Sequence, residues 1–226
     1  MRYHQIVENT ESDYSNYSEA FDRYKKGYCI YKGMQNFTKP VEILKPLQRK
    51  SKNTTNYMTT LMSNLPEWSA YPKRNYCTVC SSNYKYAEEY GEIYHIFPEN
   101  GSKIGICRTE DIFESFLIPV PILNLFLNKV ASNDSDYESM IHDLKVVFIP
   151  SELNKWKDTI KYFLERKINS FDSFIKIISP NFNKFKLVNI TNYSVTRANN
   201  REVWTDGNCL AIKKTHIKEF EEKYIL

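Results

Sequence analysis

The chain reads Ile93-Tyr94-His95-Ile96-Phe97-Pro98, then Glu99-Asn100-Gly101 and, after Ser102, Lys103-Ile104-Gly105-Ile106-Cys107. The two outer runs are rich in β-branched and aromatic residues, a composition that favours strands. The Asn-Gly pair between them is a turn signal. We therefore expect two strands joined as a β-hairpin, which makes the middle of the chain β-structure.

Further short strands and helices are predicted on both sides of this stretch. The strands cover residues 28–31, 76–82, 145–149, 186–190, 203–204 and 209–212. Helical spacing of apolar residues predicts helices over 8–26, 54–65, 84–90, 111–128, 151–168, 170–178 and 213–223. The basic stretch 39–52 contains two prolines and is expected to be a loop. Because the strands cluster without regular alternation with helices, the pattern predicts an α+β fold.

Length and composition predict one domain. The chain has 226 residues, of which 42% are hydrophobic and 15% aromatic, enough to fill a single core. We expect residues 1–226 to form that domain, with a helical region over 1–27 packed on the core. The 31 basic and 27 acidic residues give a net charge of +4. This excess is too small to name nucleic acid as the partner, although it does not oppose a phosphate-bearing ligand.

Cysteine usage and the apolar runs bear on the cellular compartment. An odd, scattered set of five cysteines favours reduced thiols in the cytoplasm: Cys29, Cys77, Cys80, Cys107 and Cys209. The polar N-terminal sequence has no apolar h-region, so we expect no secretory signal. The longest apolar run, 116–127, contains two prolines and is shorter than the roughly 20 residues of a membrane span. We therefore expect a cytoplasmic protein without a membrane partner.

The pair Cys77-x-x-Cys80 supplies only half of a tetrahedral zinc site, and no second ligand pair follows it. A redox pair of this spacing belongs at a helix N-terminus, whereas these cysteines lie in a predicted strand. The chain also lacks the glycine-rich phosphate-binding motifs and the Gly-x-Ser-x-Gly elbow of hydrolases. Zinc, disulfide-exchange, Rossmann, P-loop and ordinary hydrolase functions are therefore disfavoured.

Three short segments carry the most chemical information. Lys32 stands beside Gly33 at the end of a predicted strand, where a glycine lets a ligand approach the backbone. The stretch 74–82 ends in Cys-Ser-Ser and precedes a predicted helix. Glu202 opens a later strand, two residues after Asn200. A cation, a hydroxyl pair and a single acid therefore follow one another along the chain.

This order resembles the core of the ADP-ribosyltransferase superfamily. That family has an Arg-Gly near the end of its first core strand and a Ser-Thr-Ser strand followed by a helix. Its catalytic Glu stands two residues after a Gln, a Glu or a similar residue. The resemblance implies a split, two-sheet antiparallel β core with flanking helices, and NAD as the substrate. It also implies a mono-ADP-ribosyltransferase or an NAD glycohydrolase, a family with many phage, viral and toxin members that act in a host cytoplasm.

By this resemblance, Glu202 is the acid that stabilises the oxocarbenium-like transition state. Asn200 helps to select the acceptor, and Ser81 and Ser82 support the acid. Tyr90 stacks on the nicotinamide.

Two departures from the family pattern concern the cofactor side of the site. Cys80 occupies the place of the first serine. Lys32, beside Gly33, replaces the usual arginine and lacks its bidentate fork. Arg49 or Arg74 is then the cation recruited to the diphosphate.

Each residue also has a structural interpretation. Lys32 fits an exposed strand end, Ser81 and Ser82 fit helix-capping hydroxyls, and Glu202 fits a surface acid in a turn. The basic stretch 49–53 and the aromatic loop around Trp68, Tyr71, Lys73 and Arg74 fit either a nucleic-acid contact or the wall of an NAD pocket. The alternative function is therefore a non-enzymatic nucleic-acid-binding or protein-inhibiting module on the same scaffold.

Overall fold

An eight-stranded antiparallel sheet forms the centre of the protein. The structure, a computed structural model, describes residues 14–48, 56–116, 137–149, 151, 161, 165, 168–181 and 183–225. The strands are β1 (Tyr31–Met34), β2 (Val41–Leu44), β3 (Thr78–Ser81), β4 (Glu92–Pro98), β5 (Lys103–Cys107), β6 (Phe185–Asn189), β7 (Glu202–Thr205) and β8 (Cys209–Lys213). Their order across the sheet is β2-β8-β4-β1-β3-β7-β5-β6. The predicted α+β class with antiparallel strands is confirmed, but the strands form one sheet and not the split, two-sheet core that the resemblance implied.

The sheet has two halves, β2-β8-β4-β1 and β3-β7-β5-β6, which meet between β1 and β3 through a very short ladder. Their ladder consists of the single pair Tyr31 and Ser81, whereas β1 pairs with β4 and β3 pairs with β7 along their whole lengths. The side chain of Lys32 reaches across this join, and its Nζ donates to the carbonyl of Val79 at 2.8 Å. The chain therefore forms one continuous sheet whose two halves meet at one residue pair.

The predicted hairpin between β4 and β5 is wrong. β4 lies between β8 and β1, and β5 lies between β7 and β6. One reason is that Gly105 makes room for Trp204 of β7, whose ring atoms would lie 2.2 Å from a Cβ at that position. A second reason is that the connecting turn is tied to the N-terminal region, since Gly101 N donates to Glu19 Oε2 at 2.8 Å. The two consecutive strands therefore enter different halves of the sheet.

Two other local predictions are also wrong. Residues 41–44 lie within the predicted loop 39–52, yet they form β2, which pairs with β8 at one edge of the sheet. Residues 145–147, expected in a strand, close the helix Tyr137–Val147. In that helix Ile141 and Leu144 are buried against the core, so packing outweighs the strand propensity of the valines that follow.

The helices cover the sheet and fill two main apolar clusters. They are α1 (Ser18–Lys25), α2 (Tyr57–Asn64), α3 (Tyr84–Glu88), α4 (Tyr137–Val147), α5 (Phe171–Ile178) and α6 (Ile217–Phe220). One cluster surrounds Trp204, and the other includes Phe21 of α1, whose ring centroid lies 5.0 Å from that of Phe97. The prediction of α5 is confirmed, with Ser170 as its N-cap.

Parts of the remaining predicted helices, over 8–26, 54–65, 111–128 and 151–168, lie outside the described residues. In the last predicted segment, α6 is flanked by the 3-10 helix Lys214–His216 and the π-helical turn Glu221–Ile225. None of the described helices combines the length and the apolar character that crossing a membrane requires.

Candidate active site

The three segments singled out in the sequence come together on β1, β3 and β7, which are neighbours in the sheet. Ser81 pairs with Tyr31 on one side and with Glu202 on the other. Residues directly opposite each other in an antiparallel ladder project from the same face. Ser81 and Glu202 therefore lie on one face of the sheet, beside the short ladder between β1 and β3.

Glu202 is a buried acid, not the surface acid of a turn. Its exposed fraction is 8%, and it is the first residue of β7. Its Oε1 forms an ion pair with the guanidinium of Arg74, and its Oε2 accepts a hydrogen bond from the backbone N of Ile112 at 3.2 Å. Both carboxylate oxygens are thus held by groups outside β7.

Arg74 precedes β3 and is 5% exposed. Burial lowers the pKa of its guanidinium, but the charges of Glu202 and of other neighbouring groups, including Asp111, together more than offset this effect, so that the pKa lies above its usual value. The guanidinium carbon also lies 5.7 Å from the ring centroid of Trp204. Arg74 is therefore the ion-pair partner of Glu202. The sequence had instead suggested it as a cation for the diphosphate of NAD.

A loop after β5 covers Glu202. The backbone N of Glu202 donates to the carbonyl of Thr109 at 2.8 Å. The Thr109 hydroxyl donates to the carbonyl of Asp111 at 2.6 Å and lies 2.8 Å from the Ser115 hydroxyl. Asp111 then caps the 3-10 helix Ile112–Ser115 by accepting from Phe113 N at 2.9 Å. These contacts fix the loop that brings the N–H of Ile112 to the acid.

The two serines do not cap α3, because Asn83 is its N-cap and accepts from Lys85 N. Ser82 is fully buried and joins β3 to the residue before Glu202. Its hydroxyl accepts from Arg201 N at 2.9 Å, and its own N donates to Arg201 O at 2.9 Å. Ser81 Oγ accepts from Asn83 N at 3.0 Å. Ser82 therefore fixes the backbone just before the acid, and Ser81 fixes the turn between β3 and α3.

Lys32 and Gly33 have positions different from those expected. Lys32 follows Tyr31 in β1, so its side chain leaves the sheet on the face opposite Ser81. The Cα of Gly33 faces α3, where an added Cβ would lie 1.8 Å from the carbonyl oxygen of Ala87. The glycine is therefore required by the close packing of α3 on β1.

Two tyrosines and two asparagines lie around the acid. Tyr90 is 48% exposed, and its hydroxyl donates to that of Tyr86 at 3.3 Å. Burial and the charges of nearby acids, including Glu202, raise the pKa of Tyr86. Asn200 has a left-handed backbone (φ 44°), and its Oδ1 accepts from Asn83 Nδ2 at 2.6 Å. The tyrosine pair and the amide pair form the more exposed side of the site.

Sequence reasoning missed Tyr86, Asn83 and Ile112. The spacing of Tyr86 and Tyr90, four residues apart on one predicted helix, could have identified the first. Nothing local identifies Ile112, because it acts through its backbone N–H. Arg49 lies outside the described residues.

No group of three or more His, Cys, Asp or Glu side chains is arranged as a metal site in the described part of the chain. Cys77 lies just before β3, and its thiol donates to the carbonyl of Arg74 at 3.3 Å. Cys80 lies within β3, on the face opposite Ser81.

Comparison of the chain with protein-family models, curated proteins and solved structures finds no match in any of the three. We therefore infer function from the geometry of the site.

Proposed function

We propose that the protein binds NAD and cleaves the bond between nicotinamide and ribose, as a mono-ADP-ribosyltransferase or an NAD glycohydrolase. The observation that supports this most is the pairing of Ser81 on β3 with Glu202 on β7, where β3 also lies next to β1, the strand of Lys32 and Gly33. The resemblance to the ADP-ribosyltransferase superfamily implies a site in which a hydroxyl-bearing strand supports the catalytic acid. The proposal includes a cytoplasmic location, where NAD is available.

The proposed reaction breaks the bond from ribose C1′ to the nicotinamide nitrogen. The bonding electron pair leaves with the nitrogen, which gives neutral nicotinamide and an oxocarbenium-like ribose. The carboxylate of Glu202 stabilises the positive charge and holds a ribose hydroxyl. Water or the nucleophilic atom of an acceptor then bonds to C1′ and loses its proton. The products are nicotinamide, a proton and either ADP-ribose or the ADP-ribosylated acceptor.

Residues on the more exposed side of the site suit the other parts of the substrate. Tyr90 is exposed enough to stack on the flat nicotinamide ring, with Tyr86 behind it. Asn200 lies at the same end of β7 and suits contact with an acceptor.

Nicotinamide release from labelled NAD tests the proposal. The wild-type protein is expected to release nicotinamide, and Glu202→Gln is expected to slow the release by roughly a hundredfold. Glu138→Gln, an exposed acid of α4, is the matched control and should behave as wild type. Absence of turnover together with absence of an NAD-induced rise in melting temperature would remove the enzymatic proposal.

A second candidate is a non-enzymatic module on this scaffold, and the buried ion pair of Arg74 and Glu202 favours it, since such a pair also suits a purely structural role. Its nucleic-acid form is less well supported, because Trp68 is buried in the core cluster and Arg74 faces the acid. The stretch 49–53 lies outside the described residues. Binding of DNA or RNA at about 50 mM salt, unaffected by Glu202→Gln, would favour this candidate.

A further inference from the structure

Both oxygens of Glu202 are held from segments that are far apart in the sequence. Arg74, from the segment before β3, pairs with Oε1, and the backbone of Ile112, from the loop after β5, donates to Oε2. A carboxylate held at both oxygens has a fixed rotamer and a fixed plane. Such fixing before substrate arrives is what catalysis by a single acid requires.

The segment that carries Arg74 is itself fixed to β7. The indole of Trp204, two residues after Glu202 and on the same face, donates from Nε1 to the carbonyl of Pro72 at 3.0 Å. The ring of Tyr71 stacks on the same indole with centroids 5.9 Å apart and planes at 18°. Glu202 and Trp204 therefore bind one short segment, residues 71–74, at both of its ends.

The guanidinium of Arg74 has no open face for a diphosphate in this arrangement. It is almost fully buried between Glu202 and the ring of Trp204. A diphosphate ligand needs a cation that reaches the cleft, and a guanidinium drawn toward it would leave Glu202 buried without a counter-charge.

We propose that Arg74 is a positioning residue, which holds the carboxylate of Glu202 in its catalytic orientation and does not contact the NAD diphosphate. This inference rests on the proposed function. Besides Glu202, three titratable groups interact with the charge of Arg74: Asp111 in the covering loop, Cys107 of β5 and Cys77 before β3. Tyr86 of α3 interacts with the charge of Glu202. Arg74 is the cation in this set, so no other member can take over its role.

Steady-state kinetics with NAD separate the two roles of Arg74. A positioning residue acts on turnover, so we expect Arg74→Gln to lower kcat by roughly a hundredfold and Arg74→Lys by roughly tenfold. Lysine keeps the charge but not the planar fork. KM for NAD should change by less than about threefold in both variants. A KM raised about tenfold or more with kcat unchanged would identify a diphosphate ligand and overturn the proposal.

Two controls isolate the positioning role from a loss of folding. Lys186→Gln removes an exposed cation from the edge strand β6 and should leave kcat, KM and melting temperature unchanged. In the background of Glu202→Gln, Arg74→Lys should leave the Kd of NAD, measured by calorimetry, within about threefold. A weaker Kd in that background would show contact with NAD and contradict the proposal.

A measurement without turnover keeps the inference separate from the proposed function. In Arg74→Gln the carboxylate of Glu202 should leave Ile112, so hydrogen exchange at the Ile112 amide should speed up by about tenfold or more. The amide of Ile104, within β5, serves as the internal reference. Unchanged exchange at Ile112 would overturn the positioning role even in an active enzyme. If exchange changes as expected but wild type releases no nicotinamide, the proposed function fails and the arrangement stands.

Discussion

Ser81 lies directly opposite Glu202 in the ladder between β3 and β7. The next residue along β3, Ser82, binds the residue before Glu202 through its backbone and its hydroxyl. The acid is therefore attached to the hydroxyl strand at the one place where the two halves of the sheet meet. This attachment and the ion pair with Arg74 make the acid important for stability as well as for the proposed chemistry.

Replacing Glu202 with glutamine should lower both turnover and stability. The substitution keeps the size of the side chain but leaves the guanidinium of Arg74 buried without a counter-charge, which costs about 3 kcal/mol. Loss of the charge that stabilises the oxocarbenium-like state should slow nicotinamide release by roughly a hundredfold. Melting temperature and nicotinamide release, measured on the same preparation, check both effects.

The double variant Glu202→Gln, Arg74→Met separates these two effects. Removing both partners of a buried ion pair is far less destabilising than removing one. Melting temperature should therefore recover most of the way to that of wild type, while turnover stays low. If turnover recovers along with stability, Glu202 acts only as a structural partner of Arg74.

Gly33→Ala should destabilise the protein through the packing of α3. The new Cβ would lie 1.8 Å from the carbonyl oxygen of Ala87, so α3 must move away from β1 at a cost of about 3 kcal/mol. Gly101→Ala is the matched control, because its Cβ would meet nothing within 4 Å although its φ is +76°. That change should cost only about 1 kcal/mol. Urea unfolding of both variants measures the difference, and equal losses would contradict the packing argument.

Local sequence patterns were sufficient to predict the class of the fold and the order of the site segments. Strand composition identified most of the sheet. Cys80 and Ser81 were correctly placed in a strand, β3, which ends one residue before Ser82, and Glu202 was correctly placed at the start of β7. These features depend on residues that are neighbours in the chain, where propensity and turn chemistry act directly.

The pairing of strands and the partner of the acid could not be predicted in the same way. β5 pairs with β7 because Gly105 accommodates Trp204, a contact between residues far apart in the sequence. Arg74 was expected in a loop as a cation for the diphosphate, since nothing near it in the sequence reveals that Glu202 lies against it in the fold. The role of Gly33 likewise depends on α3, which contributes a backbone carbonyl and no distinctive side chain.

Lys32→Met should weaken the join between the halves of the sheet without affecting NAD. The Nζ of Lys32 donates to the carbonyl of Val79 at 2.8 Å, and methionine keeps the stem but not the donor. Loss of this hydrogen bond should lower the free energy of unfolding by about 1 kcal/mol. Calorimetric titration should show the same affinity for NAD. A Kd raised about tenfold would instead place Lys32 at the diphosphate, as its sequence position suggested.

His95 should make the protein less stable in mild acid. Burial, assisted by the charge of Lys214, lowers the pKa of His95 to about 4, whereas the unfolded chain titrates near the usual 6.5. Below pH 6.5 the unfolded state takes up a proton that the folded state does not bind. The free energy of unfolding therefore falls as the pH falls toward 4, by about 2 kcal/mol between pH 7 and about pH 5.

His95→Phe removes this titration and keeps a ring against Tyr24 and Tyr31, whose centroids lie 5.5 and 4.9 Å away. In the described part of the chain Nδ1 of His95 has no hydrogen-bond partner, so an apolar ring leaves nothing there unsatisfied. Urea unfolding at the two pH values should show a loss smaller by about 2 kcal/mol in His95→Phe than in wild type and in the exposed control His142→Gln; an equal loss in all three would exclude His95 as the source.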